Sequence, residues 1–355
     1  MNLSGRTLAF AGVIWPAKQY NWSSPGGGAA NLDGVVSDDV LQKELDNLKA
    51  LSDAPNADQL IENAKALVGK LEDKATARDD FVQTVLEILA DDEDDEEVTA
   101  EQPTSELKRL DGRDVIDLLG RARVEENTAP GGAAGLGDLF SGLKGGVMNF
   151  LNMTTYWKMK QRAGRVGKKG VHNLLGTLHT SHPGIKRHLV GHSFGGRLLS
   201  AAVRGPDNGA VTPVNSLSLL QSAFSHHGFA DQFEKKGYFR RIVDDEALSG
   251  PILVTHTSND TAVGLAYPLA SRLHSENAAG MAALGDKNDE FGGIGRNGAQ
   301  KTTEATDGVL LGPQERYDLN THSIHNLLAD DFIRNHGDVR NPAVANMVLN
   351  GIDAS

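Results

Sequence analysis

Residues 188–199 of the chain read HLVGHSFGGRLL. This stretch begins like a short β-strand and ends like a helix, and between the two lies a G-x-S-x-G motif centred on Ser193. Small residues at Gly191 and Gly195 allow the close backbone approach of a tight strand-to-helix turn. Such a turn exposes the serine hydroxyl and directs the N–H of Phe194 towards an anion. The motif therefore predicts Ser193 as a nucleophile; the structural alternative is a glycine-rich turn with a helix-capping serine.

Signals for strands and helices alternate around this turn, over residues 160–355. This alternation predicts an α/β fold with a mostly parallel sheet. Strands are predicted at 185–190, 216–223 and 251–255, and helices at 166–178, 197–203, 262–276 and 342–352.

An apolar run near the start of the sequence, Thr7–Trp15, is followed by proline. Parallel strands covered on both faces lose the alternation of polar and apolar residues, so this run predicts a buried strand. Turn-forming residues predict a loop at 16–28. Residues 1–36 are therefore interpreted as part of the same α/β core as residues 159–355.

The acidic residues are concentrated in one block. The formal net charge is −12, and residues 37–101 hold 20 acidic and 6 basic residues, which leaves the rest of the chain nearly neutral. Ser37 is a suitable N-cap for a first helix, and the acidic run 91–97 predicts a water-facing linker. Residues 37–158 are interpreted as an acidic α-helical insertion, with helices at 37–51, 57–71, 75–89 and 105–121.

Composition excludes several classes of protein. The chain has no cysteine, so disulfides, a thiol nucleophile and a thiolate metal site are excluded. An acidic protein is a poor partner for nucleic acid, which requires a basic surface. The sequence shows no secretion signal and no apolar run long enough to span a bilayer, so a cytoplasmic location is expected.

A glycine-rich segment with apolar side chains, residues 130–146, precedes the predicted core. Apolar side chains on glycine hinges are typical of a mobile lid, and this is one interpretation of the segment. The other is an irregular core helix with a flexible start.

The motif in its strand-to-helix context resembles the α/β-hydrolase superfamily, in which many lipases and esterases have the form Gly-His-Ser-x-Gly-Gly. The resemblance covers residues 160–355 and, loosely, residues 6–20, but not the acidic helices. It implies a serine that is activated by a histidine, itself oriented by a carboxylate, in the chain order serine, acid, histidine.

The resemblance places the acid after a late strand. Asp260 fits because it follows the strand predicted at 251–255, whereas Asp244 and Asp245 precede that strand. The structural alternative for Asp260 is a helix N-cap.

The resemblance places the histidine on a loop before the last helix. His336 fits best because the helix at 342–352 follows directly. His322 and His325 are the rivals, and Asp338 is too close to His336 in sequence to be the first choice of acid.

A second N–H donor to the oxyanion is expected, from the resemblance, in a loop after an early strand. The strand at 7–15 provides that loop, and Pro16 has no N–H. Ile14 or Trp15 is therefore expected to donate together with Phe194; the structural alternative for Trp15 is a packing residue.

Weaker motifs have simpler explanations. The glycine-rich residues 292–298 lack the Gly-Lys-Ser/Thr of a phosphate loop and predict a flexible loop. Neighbouring histidines fit surface positions better than a metal site. A basic cluster beside the turn is expected to pair with the acidic insertion rather than to attract an anionic substrate; its members are Arg162, Arg165, Lys168 and Lys169.

These residues together predict a serine hydrolase that needs no cofactor and no metal. A small-molecule or lipid-like acyl substrate with a carboxylic ester bond fits best, because alcohols leave easily. The alternatives are a thioesterase or an amidase-type peptidase on the same residues. A non-catalytic scaffold that binds a basic partner through the acidic helices is a third interpretation.

Overall fold

The computed structural model describes residues 7–15, 36–52, 54–89, 110–121, 142–231, 236–260, 263, 287 and 292–355. The predicted loop at 16–28, the acidic run 91–97, residues 130–141 and nearly all of the helix at 262–276 lie outside these residues. The chain divides into two compact units, with a boundary between Gln161 and Arg162. One unit contains residues 7–15 and the described residues from 162 onward, and the other contains the described residues between 36 and 161.

The second unit is helical over its described residues. In its four shorter helices, apolar side chains three or four positions apart bury one face, whereas almost every residue from 145 to 161 in the longest helix is buried. Ser37 Oγ accepts a hydrogen bond from the Val40 N–H at 3.4 Å, which confirms the predicted N-cap. The helices are α1 Asp38–Lys49, α2 Ala57–Val68, α3 Ala75–Leu89, α4 Gly112–Arg121 and α5 Gly142–Arg165, and the boundary between the units falls within α5.

The first unit contains a parallel β-sheet. A π-helix, Val166–Val171, and α6, His172–Ser181, lead into its first strand. The five strands all run in the same direction in the order β1-β2-β3-β5-β4, which confirms the predicted α/β fold with a parallel sheet. The strands are β1 His188–His192, β2 Ser216–Leu220, β3 Ile252–His256, β4 Ala305–Val309 and β5 Ile324–Leu328.

Helices connect the strands and close the chain. They are α7 Phe194–Arg204, α8 Arg241–Asp244, α9 Ile294–Asn297 and α10 Pro342–Asp353. Because parallel strands end at the same edge of a sheet, the segments that follow β1, β3 and β5 emerge side by side. These three segments carry Ser193, Asp260 and His336.

The predicted strand at 7–15 is wrong. These residues have no regular secondary structure, and none of the five strands pairs with them. Phe10 is 92% exposed and Ile14 is 99% exposed. A strand exists only through hydrogen bonds to a neighbouring strand, and an apolar run does not by itself provide one.

The last helix is fixed on the sheet by a hydrophobic cluster. The Asn341 side chain caps α10 by accepting a hydrogen bond from the Val344 N–H at 3.0 Å. Its amide donates to the carbonyls of Phe332 and Asp338 at 3.1 and 3.0 Å, which ties the preceding loop to the helix. Side chains from β2, β3, β5 and α10 form the cluster, among them Leu220, Leu253, Leu327, Val344 and Met347.

A buried arginine and its partly buried carboxylate partners support the same unit. The Arg240 guanidinium donates to both carboxylate oxygens of Glu304, at 2.7 and 2.6 Å, and to Asp244 at 2.7 Å. The hydrogen bonds from Arg240 hold the pKa of Glu304 at about 2, below its ordinary value of 4.5, against the opposing effect of burial.

We expect Arg240→Met to lower the free energy of unfolding at pH 7 by about 2 kcal/mol, because the partly buried Glu304 carboxylate loses both hydrogen bonds from the guanidinium. The depressed pKa of Glu304 stabilises the fold fully above pH 4.5, and this contribution is lost as the pH falls towards 2. Urea unfolding of both proteins should therefore show a smaller difference at acid pH than at pH 7. Lys236→Met is the control, since its pair with Asp244 is exposed and should contribute less than about 1 kcal/mol. Equal effects of the two variants would contradict the prediction.

No helix among the described residues combines the length and the apolar character needed to cross a bilayer.

Candidate active site

Ser193 lies in the turn between β1 and α7, with φ 56° and ψ −125°. This is a strained conformation for a residue with a side chain, and it persists only where the surroundings enforce it. The Ser193 N–H donates to the Leu220 carbonyl at 3.0 Å, and the Ser193 carbonyl accepts from the N–H groups of Gly196 and Ala223, both at 3.1 Å. Hydrogen bonds to the end of β2 and to the start of α7 therefore hold the serine backbone in place.

Two glycines make this turn possible by close approach. A β-carbon at Gly191 would lie 2.6 Å from backbone atoms of Gly195 and Gly196, and one at Gly196 would clash with the Ser222 hydroxyl. A β-carbon at Gly195 would meet nothing within 4 Å. The prediction that Gly195 allows close approach is therefore wrong, and Gly196 has that role instead.

His336 lies between Ser193 and Asp260. Its Nε2 is 2.8 Å from Ser193 Oγ, and its Nδ1 is 2.8 Å from Asp260 Oδ2. A carboxylate only accepts hydrogen bonds, so Nδ1 carries the proton and donates to Asp260. Nε2 of the neutral ring is then left to accept from the serine hydroxyl, which is the arrangement of a general base beside a nucleophile.

Burial opposes the charged form of His336, but the negative charge of Asp260 and the hydrogen bond to it outweigh burial. The pKa of His336 is consequently raised above its ordinary value of 6.5. A proton taken from Ser193 would therefore be held in a stabilised imidazolium.

Asp260 follows β3 by four residues and is fully buried. Oδ2 accepts from His336 and, at 3.1 Å, from the Gln221 side-chain amide. Oδ1 accepts from the Val263 N–H at 3.0 Å, which is the contact of a helix N-cap. The two carboxylate oxygens thus have different partners: Oδ2 contacts His336 and Gln221, and Oδ1 contacts the backbone.

His192 holds the backbone of His336 in place. Because a carbonyl only accepts, His192 Nε2 carries a proton and donates to the His336 carbonyl at 2.7 Å. The two rings lie 4.9 Å apart, and burial, followed by the charge of His336, lowers the pKa of His192. This contact joins the turn that carries Ser193 directly to the segment that carries His336.

The segment that carries Asp260 and the segment that carries His336 are also joined to each other by hydrogen bonds. The Asp330 carboxylate accepts from the Thr257 hydroxyl at 2.5 Å and from the Ser258 N–H at 3.0 Å. The Asn259 amide donates to the Ile333 carbonyl at 3.0 Å. Neither Asp330 nor His192 was predicted, because their partners are distant in the sequence.

The rival histidines lie elsewhere. His325 is buried within β5, where Thr306 Oγ1 and the Asn320 carbonyl are both 3.2 Å from its ring nitrogens. His322 precedes β5, at the edge of the sheet opposite Ser193, and lines a cleft with Arg187.

The rival acids lie elsewhere too. Asp244 and Asp245 precede β3 and pair with basic residues of the same region. Asp338 accepts from the Arg334 N–H at 3.2 Å.

The expected oxyanion donors have different positions in the fold. Phe194 is the first residue of α7 and is buried. Ile14 and Trp15 lie in the segment where no strand forms. The expectation that an early strand brings their N–H groups to Ser193 therefore has no basis in the fold.

The weaker motifs have structural positions. Residues 292–298 contain α9 rather than an open loop. Lys168, from the basic cluster, pairs with Asp207 of the same unit at 2.9 Å. In the part of the chain that the structure describes, no three His, Asp or Glu side chains form a group that could hold a metal ion.

A buried carboxylate, an imidazole and a hydroxyl in hydrogen-bonded succession can remove a proton from the hydroxyl, store it, and return it to a leaving group. The strained serine is part of the same arrangement. No protein-family model, curated protein or solved structure matches the chain, so the functional assignment rests on this geometry.

Proposed function

We propose that the chain is a serine hydrolase that cleaves carboxylic esters. The observation that carries the proposal is the pair of 2.8 Å contacts that join Ser193 Oγ to His336 and His336 to Asp260. A capping serine or a surface histidine would not require these two contacts, which span 143 and 76 residues of sequence.

In the proposed reaction, Ser193 Oγ forms a bond to the acyl carbon while its proton passes to His336 Nε2. The carbonyl oxygen becomes an oxyanion, for which the N–H of Phe194 is the proposed donor. The tetrahedral intermediate then expels the alcohol, which takes the proton from Nε2 and leaves an acyl-enzyme. Water attacks the acyl-enzyme by the same two proton transfers and releases the acid and the free serine.

The order of the residues along the chain and across the sheet supports an α/β-hydrolase core. The serine follows β1, the acid follows β3 and the histidine follows β5, and these strands run in parallel. We assign residues 159–355 to this core and the acidic helices of residues 37–158 to an insertion in it.

A fluorophosphonate probe tests the nucleophile and its activation together. We expect the wild-type protein to gain one probe mass, localised to Ser193, because only a serine with a base in contact reacts readily. Ser193→Ala should gain none, while Ser200→Ala should be labelled like the wild type. Ser200 is the matched control, since it lies on α7 and its hydroxyl donates to the Gly196 carbonyl at 2.9 Å.

An unlabelled wild-type protein would overturn the proposal and favour the non-catalytic scaffold. With a labelled protein, p-nitrophenyl esters, acyl-CoA thioesters and peptide amides should be compared as substrates. A higher kcat/KM for a thioester or an amide than for every ester would contradict the choice of bond.

A further inference from the structure

Gln221 is a second strained residue at the same edge of the sheet. It directly follows β2, is fully buried and has φ 43°, in the left-handed region that favours glycine. Its N–H donates to the Thr255 hydroxyl of the neighbouring strand β3 at 3.1 Å. The backbone therefore holds the Gln221 side chain between β1, which precedes Ser193, and β3, which precedes Asp260.

The side-chain amide of Gln221 is directed at two acceptors. Nε2 donates to Asp260 Oδ2 at 3.1 Å and to the Gly295 carbonyl at 2.8 Å. The opposite orientation would place the amide oxygen against two other oxygens, so the contacts fix which end of the amide faces Asp260. The Asp260 oxygen that accepts from Gln221 is also the oxygen that accepts from His336.

The glycine-rich segment 292–298 supports this amide from behind. A β-carbon at Gly295 would lie 2.6 Å from the Gln221 carbonyl carbon, so only glycine allows the two backbones to approach this closely. The Gly295 N–H donates to the Ser222 carbonyl, and its own carbonyl accepts from the Thr257 N–H, both at 3.1 Å. The Gly295 carbonyl thus accepts hydrogen bonds from the Gln221 side chain and from the Thr257 N–H, in the segment that leads to Asp260.

We propose that Gln221, supported by Gly295, is a positioning residue that holds the Asp260 carboxylate against His336. The proposal rests on the proposed function and adds a residue to Ser193, Asp260 and His336. A fully buried carboxylate requires donors to replace water, and among the described residues Gln221 provides one of three on Asp260. Because the same oxygen serves His336, movement of the amide would change the orientation of the histidine.

Gln221→Met tests the proposal, since it keeps the length of the side chain and removes the donor. We expect kcat to fall about 10- to 100-fold with little change in KM, because orientation of the base is lost rather than substrate binding. Gln221→Gly is the second variant, since glycine adopts φ 43° without strain and the backbone can keep its conformation.

Gln221→Glu provides a readout that a merely structural role would not move. The new carboxyl group and Asp260 would share one proton, because two carboxylates at hydrogen-bond distance cannot both ionise. The shared proton keeps a donor on Asp260 Oδ2, so we expect Gln221→Glu to recover most of the kcat that Gln221→Met loses.

Asn326→Leu is the matched control. Asn326 is also a buried amide of the sheet, and it bonds Ala299 and Asp307 rather than the site. We expect this variant to lower the melting temperature while it leaves kcat unchanged.

The downfield proton resonance of His336 Nδ1–H separates this proposal from the proposed function, because it requires no substrate. It should be present in the wild type and shifted or lost in Gln221→Met and Gln221→Gly. Folded Gln221→Met and Gln221→Gly variants with the wild-type resonance and kcat would overturn the positioning role. A wild-type protein with this resonance but without probe labelling would overturn the proposed function and leave the positioning role intact.

Discussion

Replacement of His336 with alanine is expected to lower kcat for the best ester substrate about 10⁶-fold, the loss seen when a single member of a serine–histidine pair is removed. Without Nε2 at 2.8 Å, the Ser193 hydroxyl keeps its proton and is a weak nucleophile. The alcohol would also leave without a proton donor. The measurement is steady-state hydrolysis of an alkyl ester, with fluorophosphonate labelling as a second readout that should also be lost.

The rival histidines provide the controls for this prediction. His322 has φ 59°, which asparagine tolerates better than most residues, so His322→Asn is the suitable variant. His325 is buried and hydrogen-bonded, so His325→Gln retains a polar group there. Both variants should change kcat by less than about threefold. A loss of activity in either of them, with activity retained in His336→Ala, would show that His336 is not the base.

The strand-to-helix turn at Ser193 was predictable because the residues that define it are local. The apolar start, the glycines at 191 and 196 and the helix that begins at Phe194 lie within a few residues of each other. The segment at 7–15 is the opposite case. Its apolar pattern equally fits a buried strand or an exposed segment, and only pairing with a distant strand could decide between them.

Two strands went unpredicted because their sequences are polar. β4 is largely exposed and contains Asp307 and Gly308, which are unfavourable in strands. β5 places His325 and Asn326 in the buried sheet, where hydrogen bonds from other segments satisfy them; Asn326, for example, donates to the Ala299 carbonyl at 3.0 Å. Hydrophobic periodicity does not reveal a strand that is buried through such contacts.

The surroundings of the site were not predictable for a related reason. Gln221 contacts residues 39 and 74 positions away, and His192 contacts the carbonyl of a residue 144 positions away. Each role depends on the order of strands in the sheet. Asp260 and His336, by contrast, were expected from the resemblance to the α/β-hydrolase superfamily, which implies an acid after a late strand and a histidine before the last helix.

Replacement of Asp260 with asparagine is also expected to have a large effect on kcat. We expect kcat to fall about 10⁴-fold, because a neutral amide neither stabilises the imidazolium nor selects the ring tautomer with the proton on Nδ1. The fold should be retained, since asparagine is as good an N-cap as aspartate and can accept from the Val263 N–H in the same way. Asp338→Asn is the control, and this change at a partly exposed residue near His336 should lower kcat less than about threefold.

The pH profile of Asp260→Asn distinguishes the charge of the acid from its capping contact. Burial lowers the pKa of His336, and Asp260 more than offsets this effect, so wild-type activity should rise with pH through a midpoint above 6.5. Without the charge, burial remains, and the midpoint should move to lower pH while the plateau falls. If Asp260 only caps a helix, asparagine preserves that contact, and both the plateau and the midpoint would stay at their wild-type values. That result would remove Asp260 from the proposed mechanism, whatever the distance between its carboxylate and His336.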